Sequence, residues 1–540
     1  MTRPPPFRAE PLTALLKRVG PSLSTELVEQ LVDTGISADA ARQRIARGAR
    51  DFDVVKLAGI RFQHNARFIY LGDQFGDIAF WRAVERAFER GGASYWAAVS
   101  GMKARGGRVR LVDFPIVCGA PASRKGQYSP EHLLDRLKAI QLLEIEEVGE
   151  DVFVKFRPLA YRCDPPEVVR ARLLAESVAL EGVRNWMRKL GFTSYEQTRI
   201  RGQDPAPEVS SIAWDLSGPS YIRPMARPAG GKLRPGFVVA DIILRLQVDA
   251  QTVAAVVRKH DMASALPSIP PIMPFLIADS FTPEGHRLAK QKGLIPTTTA
   301  QLLGDIVARA LRELVEMLTN LGATAAVNPD HLEKVLRELT RIEGAADNLR
   351  GALFELAVAY LVKEVEGGFV KAGVQVTDPW TRRSADIDVL LDRPDGKSVL
   401  VIECKAKVPG NAVSLEQARK WREDRVPLIY SALEGDSRYA GRTFTFELWS
   451  NGGFRPEAEA WLTAQGADPR FETAWRNGDA VRAYTAQAKS AAITKIMNEH
   501  YFRHPLVRLT SASATGRVED SAGQAVGFAP EPTPGADLSG

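Results

Sequence analysis

Ser384-Ala-Asp-Ile-Asp-Val-Leu-Leu-Asp392, then Arg393-Pro-Asp-Gly-Lys397, then Ser398-Val-Leu-Val-Ile-Glu-Cys-Lys-Ala406: this stretch decides how the 540-residue chain is read. Two short, β-branched, apolar runs flank a Pro-Asp-Gly turn, which predicts a hairpin. In its second strand Leu400, Ile402 and Cys404 point one way and Val399, Val401, Glu403 and Lys405 the other. Both faces begin apolar, so the strand is expected at the centre of a sheet covered on both sides. Glu403 and Lys405 then share a face at the edge of a core, where charges are rarely placed unless paired or used. Asp386 and Asp388 share a face on the neighbouring strand. Carboxylates at this density suit a hard divalent cation, Mg²⁺ or in its place Mn²⁺, which takes one or two of them and keeps waters. The lysine adds positive charge where an attacking water must lose a proton and negative charge develops. Upstream, Asn348 to Leu361 reads as a helix carrying Glu355 among apolar neighbours.

The order of helix with Glu355, strand, strand with Asp388, strand with Glu403-x-Lys405, then a helix over Val413 to Asp424 resembles the PD-(D/E)xK, restriction-endonuclease-like nucleases. The resemblance covers roughly residues 345–470. It implies Asp388 and Glu403 as metal ligands, Lys405 as the water-activating residue and Glu355 as an auxiliary acid. The chain departs from the pattern in having no proline before the Asp, and Asp386 competes for the ligand role. Asp388 is favoured because it directly precedes Val389-Leu390-Leu391. The competing reading of these residues is a structural ion-pair cluster, or the same fold with a dead site.

A chain this long predicts three to four domains on a prior of about 150 residues each. Met1-Thr-Arg-Pro-Pro-Pro lacks the apolar run of a signal peptide, and no segment approaches the ~18 uncharged apolar residues of a membrane helix. Cys118, Cys163 and Cys404 are scattered and odd in number, which fits a reducing cytoplasm and no membrane. The net charge of +6 is uneven: residues 1–130 hold 20 Lys+Arg against 12 Asp+Glu, and the rest 51 against 53. Phosphate contacts are therefore expected in the first quarter.

There, Ser24 to Val32 and Ala38 to Gly48 read as helices around Thr34-Gly-Ile-Ser37, a spacing that resembles a helix-turn-helix. The second helix shows Arg42, Gln43, Arg44 and Arg47, suited to phosphates and base edges. Val54 to Leu57 and Arg67 to Leu71 follow as two strands shaped like a wing. A second unit of similar plan follows, with Arg108 and Arg110 on a basic strand and Arg124 and Lys125 in a basic loop. Residues 1–74 and 75–162 are thus expected to be tandem winged-helix modules that bind DNA; the competing view is a solvated basic face or a protein-contact role.

Residues 163–297 carry an echo of the nuclease stretch. Phe281-Thr-Pro-Glu and Phe454-Arg-Pro-Glu each sit twelve residues before a glycine, and helix-Glu (Glu176, Glu355), Gly-Phe and strand-Asp (Asp215, Asp388) recur in one order. Two related α/β cores are inferred. The first offers only Val239-Ala-Asp241 in place of Glu-x-Lys and is expected to be catalytically degenerate. Residues 298–344 are a helical connector of the cores or a subunit-pairing element, 345–508 the nuclease core, and 509–540 a disordered tail. The fold class is mixed α/β and multidomain. Gly230-Gly-Lys232 runs into Leu233, so no P-loop is present, and an ATPase or sensor would be a separate partner. The expected function is a metal-dependent DNA endonuclease of prokaryotic restriction or defence, a homodimer where both strands are cut. The alternatives are a non-enzymatic DNA- or partner-binding regulator and an RNA-cleaving effector.

Overall fold

The computed structural model describes residues 11–149, 151–223, 225–229, 232–264, 271–319, 329–342, 345–407 and 411–502. The expected disordered tail lies outside them. The chain is mixed α/β, with several separate sheets.

Two small units of one plan open it. In the first, helix Leu12–Val19 leads into strand Ser22–Leu23, helices Ser24–Asp33 and Ala38–Gly48, and hairpin Val54–Lys56/Phe68–Leu71. The short first strand pairs with the last. In the second, helix Ala93–Ala104, strand Arg108–Arg110, helices Phe114–Cys118 and Pro130–Ala139 and hairpin Leu143–Val148/Asp151–Phe156 repeat that order, and again first strand meets last. Polar caps set the helix starts: Ser37 accepts from Ala40 N–H, Asp77 from Phe80 N–H, and Ser129 stands before Pro130 in the first turn.

The two α/β cores are topological copies. In the first sheet the spatial order is Arg199–Ile200, Leu216–Ser220, Gly236–Val248, Ile272–Phe281, Ile295–Thr298; in the second it is Phe369–Thr377, Ser384–Asp392, Ser398–Lys405, Thr443–Ser450, Glu472–Arg476. Across each sheet the pairings run antiparallel, antiparallel, parallel, parallel. Long helices, Pro166–Lys189 and Ala345–Glu366, lead the two cores. The repeated Phe-x-Pro-Glu places proline in the first turn of equivalent helices, Pro283–Gln291 and Pro456–Thr463, between the fourth and fifth strands. Strand Ser398–Lys405 is central: Leu400, Ile402 and Cys404 enter one apolar cluster, Val399 and Val401 another.

The connector proves to be core. Leu311 and Leu314 of helix Asp305–Thr319 and Leu332 and Leu336 of helix Pro329–Leu339 are buried in the cluster that holds Val183, Ile242, Phe354 and Ile402. One hydrophobic core therefore runs through both α/β units. These leucines, at about 1.5–3 kcal/mol each, are committed inside the chain and do not form a subunit-pairing face.

Candidate active site

The central hairpin and the leading helix bring together Glu355, Asp388, Glu403 and Lys405, the four residues singled out in the sequence. Cys404 N–H donates to Asp388 Oδ2 (2.7 Å), fixing that carboxylate against the next strand. Glu403, buried at the strand's end, has Lys405 Nζ 2.8 Å from Oε1 and an Arg425 terminal nitrogen 3.0 Å from Oε2. Glu355, on the leading helix, lines the same cavity of about 410 Å³ as Asp388, Glu403 and Lys405. Arg425 closes a stretch of wide helical turns, Lys420–Arg425, and also donates to the Asp386 carbonyl (2.6 Å). Such turns are frequent at functional sites.

The electrostatics are those of crowded acids. Burial, then the Glu403 charge, pushes the Glu355 carboxyl up to about 7. Burial, then Glu403 and Glu355, holds Asp388 well above the usual carboxylate range. Burial works against the Lys405 ammonium, but Glu403 overrides it and raises its pKa, so Lys405 is a cation and a donor. Carboxylates that repel one another in a half-buried cavity are relieved by a divalent cation, and the oxygen donors of Asp388 and Glu403 fit a hard one such as Mg²⁺. Among the described residues no three His, Cys, Asp or Glu side chains are arranged as a metal-ligand group; an ion that keeps several waters asks for only one or two carboxylates.

Asp386 lines the cavity too, but its Oδ1 is engaged at 2.9 Å by Arg170, from the leading helix of the first core. Arg170 also bonds Asp151 (2.7 Å) and the Val148 carbonyl (2.9 Å) on the hairpin of the second small unit. Sequence reasoning missed Arg170 and Arg425. Arg425 ends the helix-forming segment that follows the Glu-x-Lys strand, a place worth searching; Arg170 is remote in sequence and gives no local signal.

The first core repeats the geometry with its charges closed off. Ile242 N–H donates to Asp215 Oδ2 (2.8 Å), the counterpart of Cys404 and Asp388, so Asp241 stands where Glu403 does and Ile243 where Lys405 does. Lys259 holds Asp241 at 2.6 Å, as Arg425 holds Glu403. Arg201 bridges Glu176 (2.7 Å) and Asp215 (3.1 Å), Arg105 reaches Asp215 (3.4 Å), and Arg172 lies 3.6 Å from Glu176. Burial opposes the Asp215 charge, yet Arg201 and then Arg105 hold its pKa below the usual range. Four buried cations fill the space that the second core leaves open.

Those cations correct the reading of the second small unit as a DNA-binding face. Arg105 is consumed by Asp215; Arg108 is buried against Glu146 (2.9 Å), on strand Leu143–Val148; Arg110 pairs with Asp113 (2.7 Å); and Arg124 donates to the Met262 carbonyl (2.7 Å) in the first core. Lys125 alone of the four named there stays exposed. Three of these four named cations are thus engaged by partners within the molecule. In the first unit Arg42, Gln43 and Arg47 are exposed on one helix and Arg44 is half-buried; Arg42 pairs with Asp39 (2.9 Å) and Arg47 donates to Gln43 (3.0 Å).

No helix among the described residues is long and apolar enough to cross a membrane. Comparison of the chain with protein-family models, with characterised proteins and with solved structures returned no match.

Proposed function

We propose that the second core is a Mg²⁺-dependent nuclease of the PD-(D/E)xK type, hydrolysing phosphodiesters of DNA, with the first small unit acting as a winged-helix DNA-binding module. The convergence of Asp388, Glu403, Lys405 and Glu355 in one open cavity carries the reading, set beside the equivalent place in the first core, which is closed by cations. A cation held by Asp388 and Glu403 would polarise the phosphate and acidify a bound water. The Lys405 ammonium, 2.8 Å from Glu403, is placed to stabilise the hydroxide and the charge that builds on phosphorus as water adds and the P–O bond to the leaving oxygen breaks. Glu355, near 7, can hold a proton on the cavity wall at neutral pH. Exposed Arg42, Gln43 and Arg47 suit backbone and base contacts on DNA. A nuclease with a separate recognition module fits restriction or defence against foreign DNA, as a dimer where both strands are cut.

The test is cleavage of plasmid, linear and single-stranded DNA, and of RNA, by the full chain with Mg²⁺, Mn²⁺ or EDTA, beside Glu403→Ala and Lys405→Ala. Metal-dependent cutting lost in both variants supports the nuclease. Tight binding that the variants leave unchanged, with no cutting of any substrate, would replace it by a non-enzymatic regulator; cutting confined to RNA would reassign the substrate.

A further inference from the structure

We infer that Arg170, on the leading helix of the first core, is a phosphate-binding residue of the active site in the second core; the inference rests on the nuclease reading of that site. The cavity that holds Asp388, Glu403 and Lys405 is walled on one side by the other core, through Arg170 and Glu167. Six carboxylates and three cations face it among the described residues: Asp151, Glu167, Glu355, Asp386, Asp388 and Glu403 against Arg170, Lys405 and Arg425. Lys405 and Arg425 both bind Glu403. Arg170 is the one cation there that leaves the Asp388–Glu403 pair untouched in its ion pairs, which go to Asp151 and Asp386.

The way Arg170 is held points to exchange. Its Nε donates to Asp151 and one terminal nitrogen to the Val148 carbonyl, which fixes the guanidinium plane from the hairpin side. The other terminal nitrogen lies 2.9 Å from Asp386 Oδ1, and both residues line the cavity. A phosphate oxygen is an anionic acceptor like a carboxylate oxygen, so one guanidinium nitrogen can serve either. Asp386 therefore occupies, in the substrate-free chain, the position in which a phosphate oxygen would be received, and the two hairpin contacts keep the donor aimed at it without further reorganisation.

The helix itself separates the two duties. Residues two apart on a helix point to nearly opposite sides. Arg172 turns into its own core, 3.6 Å from both Asp164 and Glu176, while Arg170 turns out to the other core's cavity. The degenerate core thus keeps one helix face for its own closed charge cluster and lends the opposite face to the neighbouring site. Arg170 adds substrate binding at a point where the second core has no cation of its own to spare from Glu403.

The experiment uses the full chain: single-turnover plasmid cutting with Mg²⁺, and binding of a fluorescein-labelled DNA duplex in EDTA across a salt series. Arg170→Ala should cut at least about tenfold more slowly, and its slope of log K against log salt should fall by about one, the loss of one phosphate contact. Arg170→Gln, which keeps part of the stem and a polar end without the charge, should lose the same slope, and it decides the matter should the alanine variant fold poorly. Arg170→Ala/Asp151→Asn restores the cavity's net charge and should stay slow, because the contact is still missing. Recovery of wild-type cutting by that double variant would overturn the assignment and leave Arg170 a neutraliser of its carboxylate neighbours. So would a wild-type rate and slope in both single variants. A wild-type chain that neither cuts nor binds, with Asp388→Asn indistinguishable from it, would instead bring down the nuclease reading, and the assignment with it.

Discussion

Replacing Glu355 by Gln should make the folded chain more stable in mild alkali and change it little in mild acid. Its carboxyl is pushed from 4.5 up to about 7, by burial first and the Glu403 charge second. The folded chain therefore binds this proton more tightly than the unfolded chain does. Between the two values the unfolded chain gives the proton up first, so stability falls as pH rises through about 4.5 to 7, and the full loss is present above that. At about 1.36 kcal/mol per pH unit the loss is about 3 kcal/mol at pH 8 and under about 1 kcal/mol at pH 5. Water at the cavity mouth screens part of the repulsion that Glu355 feels. A net gain of about 1–3 kcal/mol for Glu355→Gln at pH 8 is the expectation.

Thermal melting of the two chains at pH 5 and pH 8, in EDTA, reads this directly. The difference between variant and wild type cancels other titrating groups, and a gain of this size should raise Tm by a few degrees. Adding Mg²⁺ at pH 8 should stabilise wild type and narrow the gap, because the cation supplies the missing countercharge. A variant equally destabilised at both pH values would refute the reasoning, and would make Glu355 a structural hydrogen-bond partner.

Three further outcomes follow from the same charges. Arg201→Ala orphans Glu176 and Asp215 in the closed cluster of the first core and should cost about 3–5 kcal/mol in urea unfolding; a loss under about 1 kcal/mol would remove the argument that these cations hold that core shut. Gly149, at φ +63, lies so close to Asp386 that a Cβ would stand 2.1 Å from Oδ2. Gly149→Ala should therefore lower stability by about 1–3 kcal/mol, and an unchanged melt would mean that the hairpin turn is not seated on the site. Arg42→Ala and Arg47→Ala should weaken DNA binding and lower the salt slope by about one each at constant Tm. Arg108→Ala, buried against Glu146, should lower Tm and leave the slope alone; the reverse pattern would return Arg108 to the DNA face.

The hairpin was legible because its signals are local. Period-two alternation and the Pro-Asp-Gly turn place strands at Ser384–Asp392 and Ser398–Lys405, and the Phe-x-Pro-Glu repeat marks equivalent helix starts in two sheets of one topology. Strand Leu143–Val148 was not legible: Glu144 and Glu146 give Leu-Glu-Ile-Glu-Glu-Val an acidic look, and only their partners across the sheet, Lys155 and Arg108, explain them. The charge count of residues 1–130 misled for the same reason. Composition records how many cations a segment carries, and says nothing of the acids that will consume them: Asp215 takes Arg105, more than a hundred positions away, and the Met262 carbonyl takes Arg124. Arg170 was invisible because it meets Asp386 only after long-range packing.

The two cores separate what the backbone does from what the charges do. In both, an aspartate accepts a backbone N–H from the central strand, an acid follows on that strand, a glutamate comes from the leading helix, and a cation from the next helical segment pairs with the central acid. Both sheets share this arrangement, so the constellation by itself does not set the proposed active core apart from the other. The balance of charge does. In the first core Arg105, Arg172, Arg201 and Lys259 pack onto three acids and hold Asp215 below the usual carboxylate range, although burial still raises Asp241. In the second, Ile243 is exchanged for Lys405, no counterpart of Arg201 is bound to Glu355 or Asp388 in the described ion pairs, and their carboxyl groups are pushed up. That unbalanced acid weakens the fold and suits a cation. On the proposed nuclease reading the stability cost sits where the reaction needs it, and the first core supplies the wall from which Arg170 reaches across.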